Sequence, residues 1–268
     1  MIGNTPWTRR LLTAAGYFGL AFLTVPLLIV IPMSFSSARA LTFPPPGLSL
    51  RWYEAFFGDS RWMEAMATSA SVAAISSVAA LLLGGLAVYG LRRGNFIGRG
   101  PAEGNFMAPL IVPTIITAIA LYLGLAKVGL LGSFLGLVMA HTILNVPLVI
   151  MVLGVAIREF DHRIEQVAWS LGASWTYTMR KVVLPNLAPS VFAAWIFAFI
   201  GSFDEVIVTS FIAGKYETVP KKMFNELILE VNPTITAVAT LLIAFTVLAL
   251  AAVAFILGRA GKLKQTLV

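Results

Sequence analysis

Six long apolar stretches organise this chain, at about 11–33, 66–91, 106–126, 132–157, 188–213 and 234–257. Each reaches the roughly 20 residues a helix needs to cross the hydrocarbon of a bilayer. Backbone polar groups inside that layer must pair within the segment, so the pattern predicts six membrane-spanning helices. The first stretch is long, carries Pro26 and Pro32 and lacks a convincing Ala-x-Ala cleavage site before the following loop, so it reads as a retained helix.

Two of the intervening polar loops have a pattern of their own. The loop at about 34–64 opens with Phe43-Pro44-Pro45-Pro46-Gly47, which excludes regular helix. It continues as Leu50-Arg51-Trp52-Tyr53-Glu54-Ala55-Phe56-Phe57 and Arg61-Trp62. Aromatics beside charges predict a short helix in the headgroup region. The loop at about 214–232 predicts a second surface or gate helix, with Met223, Leu227 and Ile228 on one face and Lys222, Glu226 and Glu230 on another. For both, interface anchoring and contact with an extracytoplasmic partner are the two readings.

The stretch 158–187 is different again. Asp161 can cap a helix start, and Ile164, Val167, Ala168 and Leu171 then recur at helical spacing as a narrow apolar face. Gly172 either breaks that helix or permits close packing. A second stretch, Trp175 to Val183, carries Arg180 and Lys181 and is expected to end at Leu184-Pro185, because proline disfavours helix in the residue before it. Ala168 and Gly172 are four apart, which places two small residues on one side of a continuous helix. Such a helix is either a handle held by a partner outside the membrane or a loop resting on the bilayer.

Composition sharpens this picture. Of 268 residues, 59% are hydrophobic and 12% charged, with mean hydropathy +0.89. A soluble domain carries roughly 25% charged residues, so this is an integral membrane protein. The net charge of +7 is distributed by side. With both termini cytoplasmic, the inside regions hold Arg9, Arg10, Arg92, Arg93, Arg99, Arg158, Arg163, Arg180, Lys181, Arg259, Lys262 and Lys264, twelve basic residues against seven outside. That is the positive-inside arrangement. No Arg/Lys stripe alternates with exposed aromatics, which argues against nucleic acid. The absence of cysteine excludes disulfides and cysteine-built metal sites. His141 and His162 without an acid cluster argue against a metal centre. There is no Gly-x-x-x-x-Gly-Lys-Ser/Thr phosphate loop; Gly258-Arg259-Ala260-Gly261-Lys262-Leu263 is too short and lacks the hydroxyl. No nucleophile–base set points to an enzyme.

Polar residues within the apolar segments are the remaining candidates, since such residues usually face an interior. Asp204 and Glu205 lie in segment five, either to attract a cation or to fix packing, and on a helix they diverge by about 100°. Asn145 precedes Pro147 and either satisfies the carbonyl that proline frees or faces a path. His141 is expected to be buried and hydrogen-bonded. Thr114, Thr117 and Tyr122 are path candidates, although threonines also bond their own helix. Trp195 and Phe199 share a face and either stack on an alkyl amine or pack. Gly84-Gly85 permits a close helix crossing.

The order Gln166-Val167-Ala168, three residues, Gly172, nine residues, Val182, one residue, Leu184-Pro185 resembles the coupling-loop signature of ATP-binding-cassette importer permeases. The family pattern is Glu-Ala-Ala, three residues, Gly, nine residues, Ile, one residue, Leu-Pro. Ala168, Gly172, Leu184 and Pro185 match; Gln166, Val167 and Val182 depart, and the adjacent Glu165 offers the missing acid. The resemblance implies an all-α integral membrane protein with the type I importer permease fold, one domain over 1–268, and a cytoplasmic coupling loop at 158–187. It implies ATPase coupling by Glu165, Gln166, Ala168, Gly172, Leu184 and Pro185. The substrate-path candidates are Asp204, Glu205, Trp195, Phe199, Asn145, Thr117 and Tyr122. No cofactor is expected on this chain, with ATP and magnesium used by two partner ATP-binding subunits. The other implied partners are a homologous permease, an extracytoplasmic substrate-binding protein and membrane lipid, in a bacterial inner membrane. Ser49-Leu50-Arg51-Trp52-Tyr53, Gly201-Ser202-Phe203-Asp204-Glu205-Val206 and Pro233-Thr234-Ile235 are similar to the second permease of spermidine/putrescine-type importers. That implies a polyamine cargo, with another small organic solute, such as an amino-acid-like compound, as the alternative. An independent secondary transporter is the competing class, and the lack of an ion cage counts against it.

Overall fold

The computed structural model describes residues 6–229 and 232–266, with side chains over 7–229 and 232–259. Glu230, Lys262 and Lys264, named above, and the second half of Gly258–Leu263 lie outside those side chains. The described residues are helical or irregular, with one isolated bridge between Ser36 and Leu48. In order the helices are α1 (Pro6–Ser34), α2 (Arg51–Gly58), α3 (Ser60–Arg93), α4 (Arg99–Ile111), α5 (Thr114–Lys127), α6 (Phe134–Glu159), α7 (His162–Ser170), α8 (Trp175–Thr178), α9 (Leu184–Phe203), α10 (Ile207–Ile212), α11 (Val219–Leu229) and α12 (Thr234–Thr266). Among the described residues five stretches are long and apolar enough to cross a membrane, six if the bent pair α4–α5 counts as one span.

That pair is where the third apolar segment departs from a straight span. Its two helices meet at 108°. Val112 is extended, as the residue before a proline prefers, and Pro113 has no amide to continue the ladder. The fifth segment also differs. Leu184-Pro185 does not end the helix. Residues Met179–Val183 form a wide π turn in which the Leu184 amide reaches Met179 O, so α8 runs on into α9 with Pro185 in its first turn. A wide turn moves the chain off the α-helical register, and a first-turn proline needs no amide donor. The far end of that segment breaks after Phe203, and α10 begins at Ile207.

Two compact units emerge, Met1–Met63 with Asn225–Thr246, and Glu64–Phe224 with Val247–Val268. In the first, the expected headgroup helix is α2, with Trp52 and Phe56 buried and Phe56 against Trp62 at 5.6 Å between ring centroids. The Ser34 and Tyr53 hydroxyls hydrogen-bond at 2.7 Å, fixing the end of α1 to α2. In the second unit, α3, α6 and α9 enclose an apolar cluster that includes Val88, Val149, Leu153, Leu187 and Ala194. A separate cluster joins α3, α5, α6 and α10 through Val72, Ala118, Leu137, Val208 and Ile212. The predicted surface helix at 214–232 is α11. Its Lys222 is not on an exposed polar face, because it is buried and paired with Glu217 at 3.6 Å.

Gly84 lies where α3 comes close against α6. A Cβ there would sit 2.9 Å from Val149 Cγ1 and 3.2 Å from the Val146 carbonyl. At Gly85 the nearest atom, Leu153 Cδ1, is an ordinary 3.6 Å away. Gly84→Val is therefore expected to cost about 1–3 kcal/mol through overpacking, and Gly85→Val clearly less. Thermal unfolding of the two purified variants in one detergent checks the order.

Candidate coupling site and translocation path

The handle is built by local capping. Asp161 accepts a hydrogen bond from the Arg163 amide at 2.9 Å and starts α7. Its other end is a Schellman stop: Gly172 N donates to Trp169 O at 2.9 Å and Ala173 N to Ala168 O at 3.0 Å. Gly172 has φ +84°, in the left-handed region, so it ends the helix and does not prolong it. Ser174 then caps α8, accepting from Tyr177 N at 3.2 Å. Two capped helix starts are thus joined by a tight turn.

Around that turn Ala168, Leu171, Gly172, Ala173, Ser174 and Tyr177 line an open depression of about 570 Å³. Leu171 is 82% exposed, an apolar side chain with no cover from its own chain. Ile164, Val167 and Gln166 are exposed as well. A concave apolar surface with small residues at its floor suits a protein partner. Leu184 and Pro185 lie elsewhere, exposed on the first turn of α9. Leu184 lines a separate apolar cleft of about 240 Å³, with Tyr89, Leu153 and Trp175 among its walls.

Glu165 is not the rim acid the sequence suggests. It is fully buried, and its carboxylate turns inward to α3. Tyr89 donates its hydroxyl to Oε2 at 2.7 Å. Arg93 donates from Nε at 3.0 Å and pairs from Nη2 at 2.7 Å. A buried carboxylate needs such donors, and α3 supplies them. Arg92 beside it pairs with Glu103 on α4 at 3.0 Å. The Arg92-Arg93 doublet that reads as a topology marker is also a pair of tethers.

Of the path candidates, Asp204 and Glu205 sit at the break after α9. Asp204 and Glu205 do not diverge on one helix, since α9 has ended. Asp204 is exposed at the C-terminal end of α9. Glu205 turns to the backbone and accepts from the Val208 amide at 2.7 Å, holding the start of α10. Phe192, Trp195, Phe199 and Phe203 form a ladder along α9, with neighbouring centroids 5.8–6.2 Å apart. Trp195 Nε1 is buried without a hydrogen-bond partner among the described residues. Thr117 is half-buried and Tyr122 exposed, both on α5.

A polar layer that sequence reading identifies only in part lies between the two apolar clusters. His141 is buried with both ring nitrogens bonded, Nδ1 to Ser202 Oγ at 2.8 Å and Nε2 to Thr209 Oγ1 at 2.9 Å. Ser202 also meets Ser76 Oγ at 2.8 Å, and Thr209 donates to the Glu205 carbonyl at 3.0 Å. One consistent donor direction therefore runs Ser76, Ser202, His141 Nδ1, and from His141 Nε2 through Thr209 to Glu205 O. Asn145 does not satisfy the carbonyl freed by Pro147, which belongs to Ile143. It donates to His141 O at 2.7 Å. Its other amide atom explains Gly201, where a Cβ would approach Asn145 Oδ1 to 2.7 Å.

Residues 76–261 match the family described as binding-protein-dependent transport system inner membrane component, and the chain belongs to that family. It is a multi-pass inner-membrane permease subunit of an ATP-driven importer, working with a separate ATPase and a substrate-binding protein. Among its relatives, the spermidine/putrescine transport system permease protein PotC of Haemophilus influenzae is 32% identical over 83% of this chain and 87% of its own. The putrescine transport system permease protein PotI of Escherichia coli K12 is 32% identical over 90% of this chain and 86% of its own. The fold is shared with a chain of a bacterial ABC transporter involved in the import of the acidic polysaccharide alginate. That match has TM-score 0.66 and 15% identity, and covers 97% of this chain and 99% of the other.

Proposed function

We propose that this chain forms half of a polyamine translocation path. Its companions are a homologous permease, two ATP-binding subunits that use ATP and magnesium, and an extracytoplasmic binding protein. Residues 1–268 act as one permease domain with 158–187 as its coupling loop and both termini cytoplasmic. The chain itself binds no cofactor and catalyses no reaction. ATP closure of the ATPase pair moves the loop and opens the path outward, and hydrolysis resets it, as alternating access requires. The Schellman-ended α7, with its exposed apolar turn, carries the coupling part of this reading. The names of the PotC and PotI relatives support the cargo.

Asp204 is the residue through which a cation would be felt. It is exposed immediately after Phe203, where the span formed by α8 and α9 ends, and an acid at such a depth usually faces a protein interior or a water-filled path. The test is uptake of radiolabelled spermidine and putrescine by vesicles holding the full complex, its binding protein and ATP. We expect ATP-dependent accumulation of at least one. Asp204→Asn is expected to lower uptake at limiting substrate about tenfold, the scale of one lost charge-assisted contact. Hydrolysis stimulated by the binding protein without polyamine uptake would move the cargo to another small organic solute.

A further inference from the structure

Glu165 is out of place on α7. The helix exposes Arg163, Ile164, Gln166, Val167 and Ser170, yet this one ionisable side chain is fully buried. Its partners belong to α3, 72 and 76 residues earlier in the chain. Arg93 does more than pair with it: Nη2 also reaches the Phe160 carbonyl at 3.4 Å, at the junction of α6 and α7. Tyr89 does more as well, since its ring meets Trp175 of α8 edge-on at 6.3 Å. His162 Nδ1, on the first turn of α7, lies 3.5 Å from the same carboxylate. The last turn of α3 is therefore gripped at the entry to the coupling region, at its helix and just past its turn.

Covalent connection carries a displacement of α7 only into α6 on one side and into α8–α9 on the other. Helix α3 has no such link to the loop. Building on the coupling role proposed above, we infer that the Glu165–Tyr89–Arg93 clasp couples α3 to the ATPase-driven motion of α7. Glu165, Tyr89 and Arg93 are positioning residues for transport. Their task is to make α3 move with α7 as one body, and none of them touches the cargo. Charge and hydrogen-bonding geometry make the clasp stiff: one carboxylate receives three directed donors from two side chains of a single helical turn.

The chain contains no cysteine, so distance labels can be placed at will. Spin labels at Arg163→Cys on α7 and Leu83→Cys on α3 would be read by pulsed electron resonance in the full complex, with and without a trapped ATP state. We expect a narrow α7–α3 distance that stays the same in both states. In Glu165→Ala it is expected to broaden, and uptake per ATP hydrolysed to fall at least tenfold while the ATPase still co-purifies. Glu165→Gln, which keeps the acceptor oxygen and loses the charge, is expected to fall between. The double variant Glu165→Ala/Arg93→Ala is expected to lose no more than the worse single, because both break one device. An α7–α3 distance that changes with ATP in the unsubstituted chain overturns the inference. So does Glu165→Ala with a narrow distance and transport within twofold of normal. Loss of the ATPase from the Glu165→Ala complex also overturns it, since that outcome assigns the residue to folding of the handle. The distance and co-purification readouts do not depend on which cargo is carried, and an unsubstituted complex that failed to retain an ATPase would strike the proposed coupling role instead.

Discussion

Gly172→Val is expected to abolish ATP-driven uptake while leaving the membrane-embedded helices inserted and folded. Gly172 has φ +84° and donates one of the two hydrogen bonds that close α7 onto its tight turn, and its left-handed backbone places Ala173 N to donate the other. A residue with a Cβ pays about 1–3 kcal/mol to hold the left-handed conformation, and a β-branched one pays at the upper end. That is comparable to the whole stability of a two-turn helix with one buried side chain, so the turn is expected to unwind and not to strain. Leu171 and Ala173 then lose their relative position, and the depression they line with Ala168 and Tyr177 disappears. A graded series separates backbone conformation from bulk. A Cβ on Gly172 meets nothing within 4 Å, so size alone creates no clash inside this chain. Asparagine tolerates the left-handed region better than alanine despite being larger. Uptake is expected to fall in the order Gly, Asn, Ala, Val, with Asn within a few-fold of the parent and Val at background. Co-purification of the ATPase should follow the same order. Loss that followed side-chain volume instead, with Ala milder than Asn, would show that Gly172 matters because the partner's surface presses directly on it.

How much of this was legible beforehand depended on whether the cause was local. The spans were legible because a bilayer imposes one length and one composition on each. The cap at Asp161 was legible and the stop at Gly172 was one of that residue's two readings, since capping is decided within four residues; the cap at Ser174 carried the same local signal, which the sequence reading missed. The bend between α4 and α5 carried a readable signal, Ile111-Val112-Pro113, that the apolar run concealed. The continuity of α8 into α9 ran against a sound rule. Proline does restrict the residue before it, but the π turn at Met179–Val183 shifts the register first. Glu165 was misjudged because neighbours in sequence say nothing about a donor 72 positions away. The break after Phe203 had no Pro to announce it, and Gly201 two residues earlier is explained by the close approach of Asn145. Its signal was the pair of acids, which read as two directions on a helix and in fact stand where the helix stops. The two serines and the threonine that complete the His141 layer are unremarkable residues in sequence, and only the three-dimensional crossing gives them a role.

His141→Leu is expected to be the most damaging single change within the membrane. His141 bridges α9 to α10 across the break that carries Asp204, through Ser202 on one side and Thr209 on the other. Leucine keeps the volume roughly and removes both bonds, leaving the buried Ser202 hydroxyl without its acceptor and the Thr209 oxygen without its donor. Hydrogen bonds between membrane helices average about 0.6 kcal/mol each, and unsatisfied buried groups cost about 1–3 kcal/mol. The combined loss is therefore expected at about 2–3 kcal/mol, visible as a clear drop in melting temperature. Transport should suffer more than that loss of stability alone would produce, because the layer also fixes the geometry of residues 204–206. Two half-replacements divide the effect. Asparagine places an acceptor near the Nδ1 position and can keep Ser202; glutamine reaches the Nε2 position and can keep Thr209. If the tie to α10 is what transport needs, Gln is expected to retain more uptake than Asn at equal stability. Ser202→Ala removes the node shared by His141 and Ser76, so its combination with His141→Leu is expected to cost less than the two single losses together. Melting and uptake measured on the parent and all five variants decide it: a Leu variant that melts and transports like the parent would reduce the layer to passive filling between the two apolar clusters.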